Sequence, residues 1–286
     1  MRVLNPLNGT KKATKGLVVC AVMFGLVFHA PLMAQTPSIS RAGANVTLAA
    51  TDHYDMADGS TVMIFKYDAS ADNGQGQTEY SIDFPSNVVA DVLIVGGGGS
   101  GGSSMGGGGG AGGVTYIENY SMKNDYKIKV GQGGINTTTI QTEGVAGSNG
   151  KDSGIYTANN ATIMHENLFP VIGYGGGGGG GFAGNSSNYQ PTSGGSTGGV
   201  GTTYSVNTVM DGAIVATQGN TYWNGTSFVS GGHHGGSNGF SAYGGGGGGG
   251  AGGVGLSPPD GDHGGHGGPG IINNITGEAQ GYPTGT

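Results

Sequence analysis

The sequence predicts an all-β or irregular fold, in which N-terminal β-strands lead into a bundle of polyglycine II helices with almost no α-helix. Three observations predict this fold. Glycine supplies 68 of the 286 residues and is concentrated in runs rather than spread at a fixed interval. Short apolar segments that read as strands precede and follow the first run. After the N-terminal leader, no segment has the apolar periodicity of a helix.

The first element is a predicted signal peptide, residues 1–34. Arg2 and three lysines precede an apolar run over 17–28, and a processing site is expected after Ala34, before Gln35. The apolar run is too short to predict a membrane span, and no later stretch approaches about 18 apolar residues. We therefore expect export without a stable membrane insertion, and a secreted, extracellular or cell-surface protein.

Charge excludes one class of partner. Removal of residues 1–34 takes away four of the ten basic residues and none of the 17 acidic ones, which leaves a formal net charge of −11. Binding of nucleic acid requires basic patches that neutralise phosphates, so we expect no nucleic-acid partner. The only cysteine, Cys20, lies within the leader, so the mature chain is predicted to contain no disulfide.

The second element is a β-strand module over residues 35–95. Strand-like runs at 61–67, 79–84 and 88–95 are separated by turn-rich segments, and the last of them leads directly into glycine. Two more strand candidates, 114–117 and 126–130, follow the first glycine block. The second of these alternates apolar and basic residues, as a half-exposed strand does.

The third element is the glycine-rich domain, predicted over residues 96–286. The block from Gly96 to Gly113 contains 13 glycines in 18 positions. Two later segments repeat one another, because Tyr174 and Tyr243 are each followed by seven glycines. The sequence therefore contains an irregular internal repeat.

Three interpretations of the runs compete. Gly96, Gly98 and Gly101 match a dinucleotide-binding pattern, but the pattern must open a helix, and glycine costs about 1 kcal/mol per helical position relative to alanine. A flexible linker is the default for such composition, although linkers rarely join strand-like segments at both ends. The third interpretation is an ordered bundle of polyproline II-type glycine helices, with three residues per turn.

The bundle interpretation requires hydrogen bonds between neighbouring glycine runs. A polyproline II-type helix has no internal hydrogen bonds, so every amide and carbonyl must find a partner on a neighbouring segment. Glycine permits the necessary close approach because it lacks a Cβ. Seven glycines would span about 22 Å, and several such runs are needed in one chain. We predict that the glycine runs serve to form this bundle.

The strings DVLIVGGGG, VGQGG and GIINNITG, within residues 77–286, resemble the glycine-rich domain found in some phage tail adhesins, large algal-virus proteins and ectodomains of certain animal receptor kinases. The resemblance implies a secreted or particle-surface polyglycine fold used for binding or display, without catalytic residues. Similar sequences usually continue from the Ile-Thr-Gly segment into another glycine run. We therefore expect the domain to be truncated at its C-terminus.

Side chains of metal-binding type occur near the C-terminus. They are His233, His234, His263, His266, Asp260 and Asp262. Their spacing matches no helix or hairpin ligand pattern, and adjacent histidines point apart in an extended chain. We interpret them as solvated loop residues and assign no metal, no cofactor and no catalytic residue.

A segment around the only tryptophan is the predicted recognition surface. Exposed aromatic side chains are typical binding anchors, although they also pack as lids over the ends of a core. The candidate residues are Tyr222, Trp223, Phe228, His233, His234, Phe240 and Tyr243.

The predicted function is that of a non-enzymatic structural or adhesive protein, which binds a cell-surface or matrix ligand, such as a glycan, or associates with itself. The alternatives are a secreted enzyme with glycine-rich loops around an undetected site, and a disordered glycine-rich matrix protein.

Overall fold

A computed structural model describes most of the chain. The described residues are 23–28, 37–49, 52–55, 59–135, 144–164, 170–182, 190–202, 216, 220–223, 228–237, 244–260, 262–272 and 279–280. In this part of the chain the structure consists of strands and irregular extended segments, with one short 3₁₀ turn at Ala69–Ala71. The predicted all-β or irregular fold class is confirmed.

Thirteen strands are present in the described residues. They are β1 (Met23–Phe28), β2 (Ser38–Arg41), β3 (Ala44–Asn45), β4 (His53–Asp55), β5 (Thr61–Lys66), β6 (Gln77–Val95), β7 (Val114–Gly131), β8 (Ser153–Thr157), β9 (Ile172–Gly173), β10 (Asn220–Trp223), β11 (Phe228–Gly231), β12 (Ile271–Ile272) and β13 (Ala279–Gln280).

Two long strands form the centre of the main sheet. β6 and β7 pair antiparallel from Gln77 opposite Gly131 to Val95 opposite Val114. The sequence predicts shorter separate strands here, and the structure joins them through register shifts between Phe84 and Val88 and next to Ala90. Such irregularities let a long strand bend while its ladder continues.

The remaining strands extend the sheet on both sides. The principal order is β11-β10-β7-β6-β1-β5-β4, with β2 also paired to β6 and β8 to β7. β1 consists of residues from the predicted leader and lies between β5 and β6, a placement that the sequence analysis did not predict. Removal of residues 1–34 stays a prediction.

The hydrophobic core packs against the main sheet. Fully buried apolar side chains from neighbouring strands pack there, including Phe65, Ile82, Met122 and Ile128. The rings of Phe65 and Tyr80 meet edge to face, with centroids 5.2 Å apart. The apolar members of the alternating strands therefore face this core, as the period-two pattern predicts.

The glycine-rich part forms extended segments that lie side by side. We number nine of them in the described chain: run 1 (96–103), run 2 (106–113), run 3 (144–151), run 4 (174–182), run 5 (192–202), run 6 (232–237), run 7 (244–250), run 8 (252–257) and run 9 (262–270).

Hydrogen bonds between runs follow a period of three residues. Amides of run 1 donate to carbonyls of run 2 in the pairs Gly96–Gly113, Gly99–Gly110 and Gly102–Gly107, at 2.9 to 3.0 Å. The next residue of each triplet donates instead to run 3, in the pairs Gly97–Lys151, Ser100–Ser148 and Ser103–Val145. Successive residues therefore bond to different neighbours, which is the bonding that a three-residue helix without internal bonds requires.

The inner runs form a core that consists mainly of backbone. Every residue of 175–182 and of run 7 is buried, and run 4 exchanges backbone hydrogen bonds with runs 1, 2, 3 and 5. A Cβ added to most of these glycines would meet a neighbouring carbonyl well under 3.0 Å away. Backbone packing therefore takes the place that side-chain packing has in the main sheet.

Candidate recognition surface

The bundle has two ends that the hydrogen bonds identify. Run 1 leaves β6 at Gly96, whose amide donates to Gly113 at the start of β7. We call this the proximal end, because the runs join the sheet there. At the opposite, distal end, Ser103 donates to Val145, and Phe182 and Thr202 donate to Ser103 and Met105 at 3.3 and 3.1 Å.

A strained turn lies at the distal end. Runs 1 and 2 are joined through Ser104 and Met105, whose φ angles are +49° and +56°. This left-handed region favours glycine, and it is uncommon for other residues. The side chain of Met105 is 39% exposed. A chain with 68 glycines thus places a large apolar side chain at a turn where glycine would be less strained.

Other groups at the distal end are accessible or lack partners. Val145 is 38% exposed, and the hydroxyl groups of Ser237 and Ser257 lie 2.8 Å apart on the surface. The hydroxyl of Thr202 is buried and has no hydrogen-bond partner among the described residues. Buried polar groups are normally paired, so an unpaired hydroxyl beside Met105 marks an unusual place in the bundle.

A compact polar turn joins runs 8 and 9 at the same end. The carboxylate of Asp260 accepts hydrogen bonds from the amides of Asp262 and His263 and lies 2.7 Å from the His263 imidazole. The hydrogen bond to Asp260 raises the pKa of His263. The hydrogen bonds from Asp262 and His263 lower the pKa of Asp260. Asp260 therefore fixes the turn and favours a positive charge on His263.

Three of the predicted aromatic residues lie in one hairpin of the main sheet. Tyr222, Trp223 and Phe228 belong to the β10–β11 hairpin, in which Trp223 is opposite Phe228. This hairpin pairs in parallel with the start of β7, through Asn220 and Val114, and so lies at the proximal end. The structure thus brings these three residues together on the sheet.

Phe240 and Tyr243 lie outside the described residues. The described positions on either side of them belong to the distal end, since run 6 ends at Ser237 and run 7 begins at Gly244. In run 7, Gly246 accepts a hydrogen bond from Gly108, close to the turn that contains Met105.

The predicted histidines are part of the bundle backbone. The carbonyl of His233 accepts a hydrogen bond from Thr197 at 3.1 Å, and that of His234 accepts one from Gly255 at 2.9 Å. The His233 side chain is partly buried and the His234 side chain is exposed. Among the described residues there is no group of three or more His, Cys, Asp or Glu side chains placed to hold a metal ion.

Sequence reasoning missed an apolar site on the side of the bundle. Val254 and Leu256 of run 8 are 52% and 53% exposed. Run 8 lies between run 6 and run 9, because Gly255 donates to His234 and Leu256 donates to His266. The sequence did contain a signal for this site. Two large apolar residues stand within a glycine-rich segment, and no helical or strand-like pattern there predicts that they are buried.

The sheet carries two groups of interacting charges. Asp83 and Asp125 are opposite one another on β6 and β7. Asp83 is exposed, and a hydrogen bond with Asp125 is the main cause that raises its pKa, with smaller contributions from desolvation and the charge of Asp125. Next to them, Glu79 lies 2.8 Å from Lys127 and 3.5 Å from Lys129. Burial acts to raise the pKa of Glu79, but the two lysines outweigh it and the pKa is lowered.

Comparison with known proteins identifies one relationship. A family model described as a glycine-rich domain matches residues 73–286, about three quarters of the chain. No curated protein and no solved structure matches the chain. Within the described residues, no helix is long and apolar enough to span a membrane.

Proposed function

The chain belongs to the glycine-rich domain family, and on this premise we propose that it is a secreted or surface-displayed, non-enzymatic structural protein that adheres through the segments between its glycine runs. In this proposal the runs are polyglycine II helices that form a stiff scaffold. The three-residue period of the hydrogen bonds between runs is the observation that carries it.

The glycine runs pack through their backbones and carry few side chains. Runs 4 and 7 are buried and their surfaces consist almost entirely of peptide groups, so they offer few chemical features for recognition. Binding must then be supplied by turns, insertions and exposed side chains. Loops on a rigid framework commonly have this role.

The distal end is the preferred contact region. Non-glycine residues with positive φ cost about 1–2 kcal/mol, and such strain tends to persist where function requires it. Met105 meets this description, and Val145, whose carbonyl accepts a hydrogen bond from Ser103, is also exposed at this end. The described residues Ser237 and Gly244, which end run 6 and begin run 7, lie at the same end. We assign the ligand to a cell surface or matrix, with glycans as the leading chemical class, since aromatic side chains and neutral polar groups suit them.

The proposal is tested by binding of the fluorescently labelled, exported protein to an array of glycans and immobilised matrix proteins. Met105→Gly relieves the strained turn, so we expect an unchanged or higher melting temperature together with at least about tenfold weaker binding. Gly267→Ala, on the open side of run 9, is the control that should bind normally. Absence of wild-type binding, or full binding by Met105→Gly, contradicts adhesion through the distal end.

A further inference from the structure

The structure contains a strand-wide slot whose occupant comes from the predicted leader. β1 pairs antiparallel with β5 and with β6 at once, so that Leu26 lies opposite both Met63 and Val92. One step along, Phe24 lies opposite Phe65 and Ile94. Without β1, the facing edges of β5 and of Ala90–Ile94 would each lose a complete backbone ladder.

The flanking strands are held in place by contacts that do not involve β1. The hydroxyl of Tyr80, on β6, donates to the carbonyl of Lys66 at the end of β5, at 2.7 Å. Just beyond, the amide of Asp68 donates to the hydroxyl of Thr78 at 2.7 Å. Both contacts join the end of β5 to the first residues of β6, so they hold β5 against the sheet independently of Ala90–Ile94, which pair with β1.

Closure of the slot would also require β5 and β6 to pair in parallel, whereas each now pairs antiparallel with β1. β5 and β6 are both antiparallel to β1, so they run parallel to one another, about 10 Å apart across two strand spacings. Direct pairing would need β5 to move by one strand spacing, against its contacts with Thr78 and Tyr80 and its pairing with β4. An open slot would expose amides and apolar side chains that are now buried, including Val62, Met63 and Val92.

We propose that the slot between β5 and β6 is a peptide-binding site for an extended, uncharged, proline-free apolar segment of another protein. Residues 23–28, MFGLVF, occupy the site in the unprocessed chain and define the chemistry of the ligand. Backbone hydrogen bonds on both edges supply affinity, as in strand addition to a sheet. The availability of the site after export rests on the proposed function, because it requires removal of the leader.

The site can be tested on the purified full chain without relying on export. A protease recognition sequence replaces residues 30–34. Cleavage of the folded protein then breaks the covalent link between residues 1–29 and the rest of the chain. We expect the fragment to stay bound in size-exclusion chromatography and to be displaced by a labelled synthetic peptide of residues 22–29. The same peptide with Leu26→Pro is the control, and we expect at least about tenfold weaker binding because proline breaks a central-strand ladder.

Hydrogen exchange of the cleaved protein, after the fragment has been removed, distinguishes an open slot from a closed one. Fast exchange within Thr61–Lys66 that becomes slow when the peptide is added supports the site. Slow exchange before the peptide is added means that β5 and β6 have paired directly, and it overturns the proposal. Equal binding of the two peptides, or no binding, also overturns it. Failure of the leader to be removed in cells would contradict the proposed export and leave this result unaffected.

Discussion

A methyl group on Gly247 would overlap the backbone carbonyl oxygen of His266, whereas one on Gly267, the next residue along run 9, would lie 3.9 Å from its nearest neighbour. The two glycines lie on adjacent runs and differ only in which side of the bundle they face. Gly247 is buried between runs, and Gly267 is exposed at the edge.

This difference predicts opposite results for one substitution. Gly247→Ala should lower the free energy of unfolding by about 1–3 kcal/mol, because the backbones must separate, and Gly247→Leu should lower it further. Gly267→Ala should be neutral or stabilise by up to about 1 kcal/mol through the unfolded state. Thermal and denaturant unfolding measure both. Equal stability of the Gly247 and Gly267 variants would mean that the runs are not packed as described.

A second prediction concerns a hydroxyl group within the bundle. Ser196 is buried, and its hydroxyl donates to the carbonyl of Gly250 at 2.9 Å. Ser196→Ala keeps the Cβ that the bundle already accommodates and leaves this carbonyl without its donor, which should cost about 1–3 kcal/mol. Ser193→Ala, at an exposed position of the same run, is the matched control and should change little. Chemical denaturation measures the free energy of unfolding of both variants. Equal values for the two variants would contradict the hydrogen bond between Ser196 and Gly250.

A third prediction uses the facing aspartates of the sheet. The pKa of Asp83 is higher in the folded protein than in the unfolded chain. Between these two pKa values the folded protein binds more protons, so its stability decreases as the pH rises through this range. Asp125→Asn removes the repulsion and should raise the melting temperature near pH 7, with no gain at about pH 3. Adding Asp83→Asn should then have little further effect. A gain that is the same at both pH values would exclude this cause.

A fourth prediction separates recognition from packing in the β10–β11 hairpin. If Trp223 is a contact residue, its fluorescence should be quenched by acrylamide, and Trp223→Ala should weaken binding to the array without lowering the melting temperature. Phe228→Ala, at the position opposite in the hairpin, tests whether the pair acts together. A quencher-protected Trp223 whose replacement lowers stability but preserves binding identifies the hairpin as part of the architecture.

A fifth prediction concerns the leader. Intact-mass and N-terminal analysis of protein recovered from the medium or cell surface should find Gln35, or a near neighbour, as the first residue. The expectation follows from the basic head around Arg2 and the apolar run that precedes Ala34. Recovery of an extracellular protein that begins at Met1 would refute it, and β1 would then be a permanent strand of the sheet.

The sequence by itself determined the classes of structure, which are strands and glycine runs. The alternation around β6 and β7 predicted strands, and the lack of side chains within the glycine runs excluded conventional side-chain packing there. The conclusion that glycine serves as structure also came from the sequence, because its repeated seven-residue runs need lateral partners to satisfy their peptide groups. These are local properties, which composition and spacing record directly.

Only the tertiary structure decided which segments meet. Gly247 and Gly267 are the same residue type in similar runs, and nothing local distinguishes the buried one from the exposed one. The parallel pairing of Asn220 with Val114, which places the hairpin that contains Trp223 on the main sheet, also depends on contacts far apart in the chain. A glycine run carries no side-chain pattern that specifies a partner, so its neighbours are set by the geometry of the whole bundle and by the few side chains at its turns.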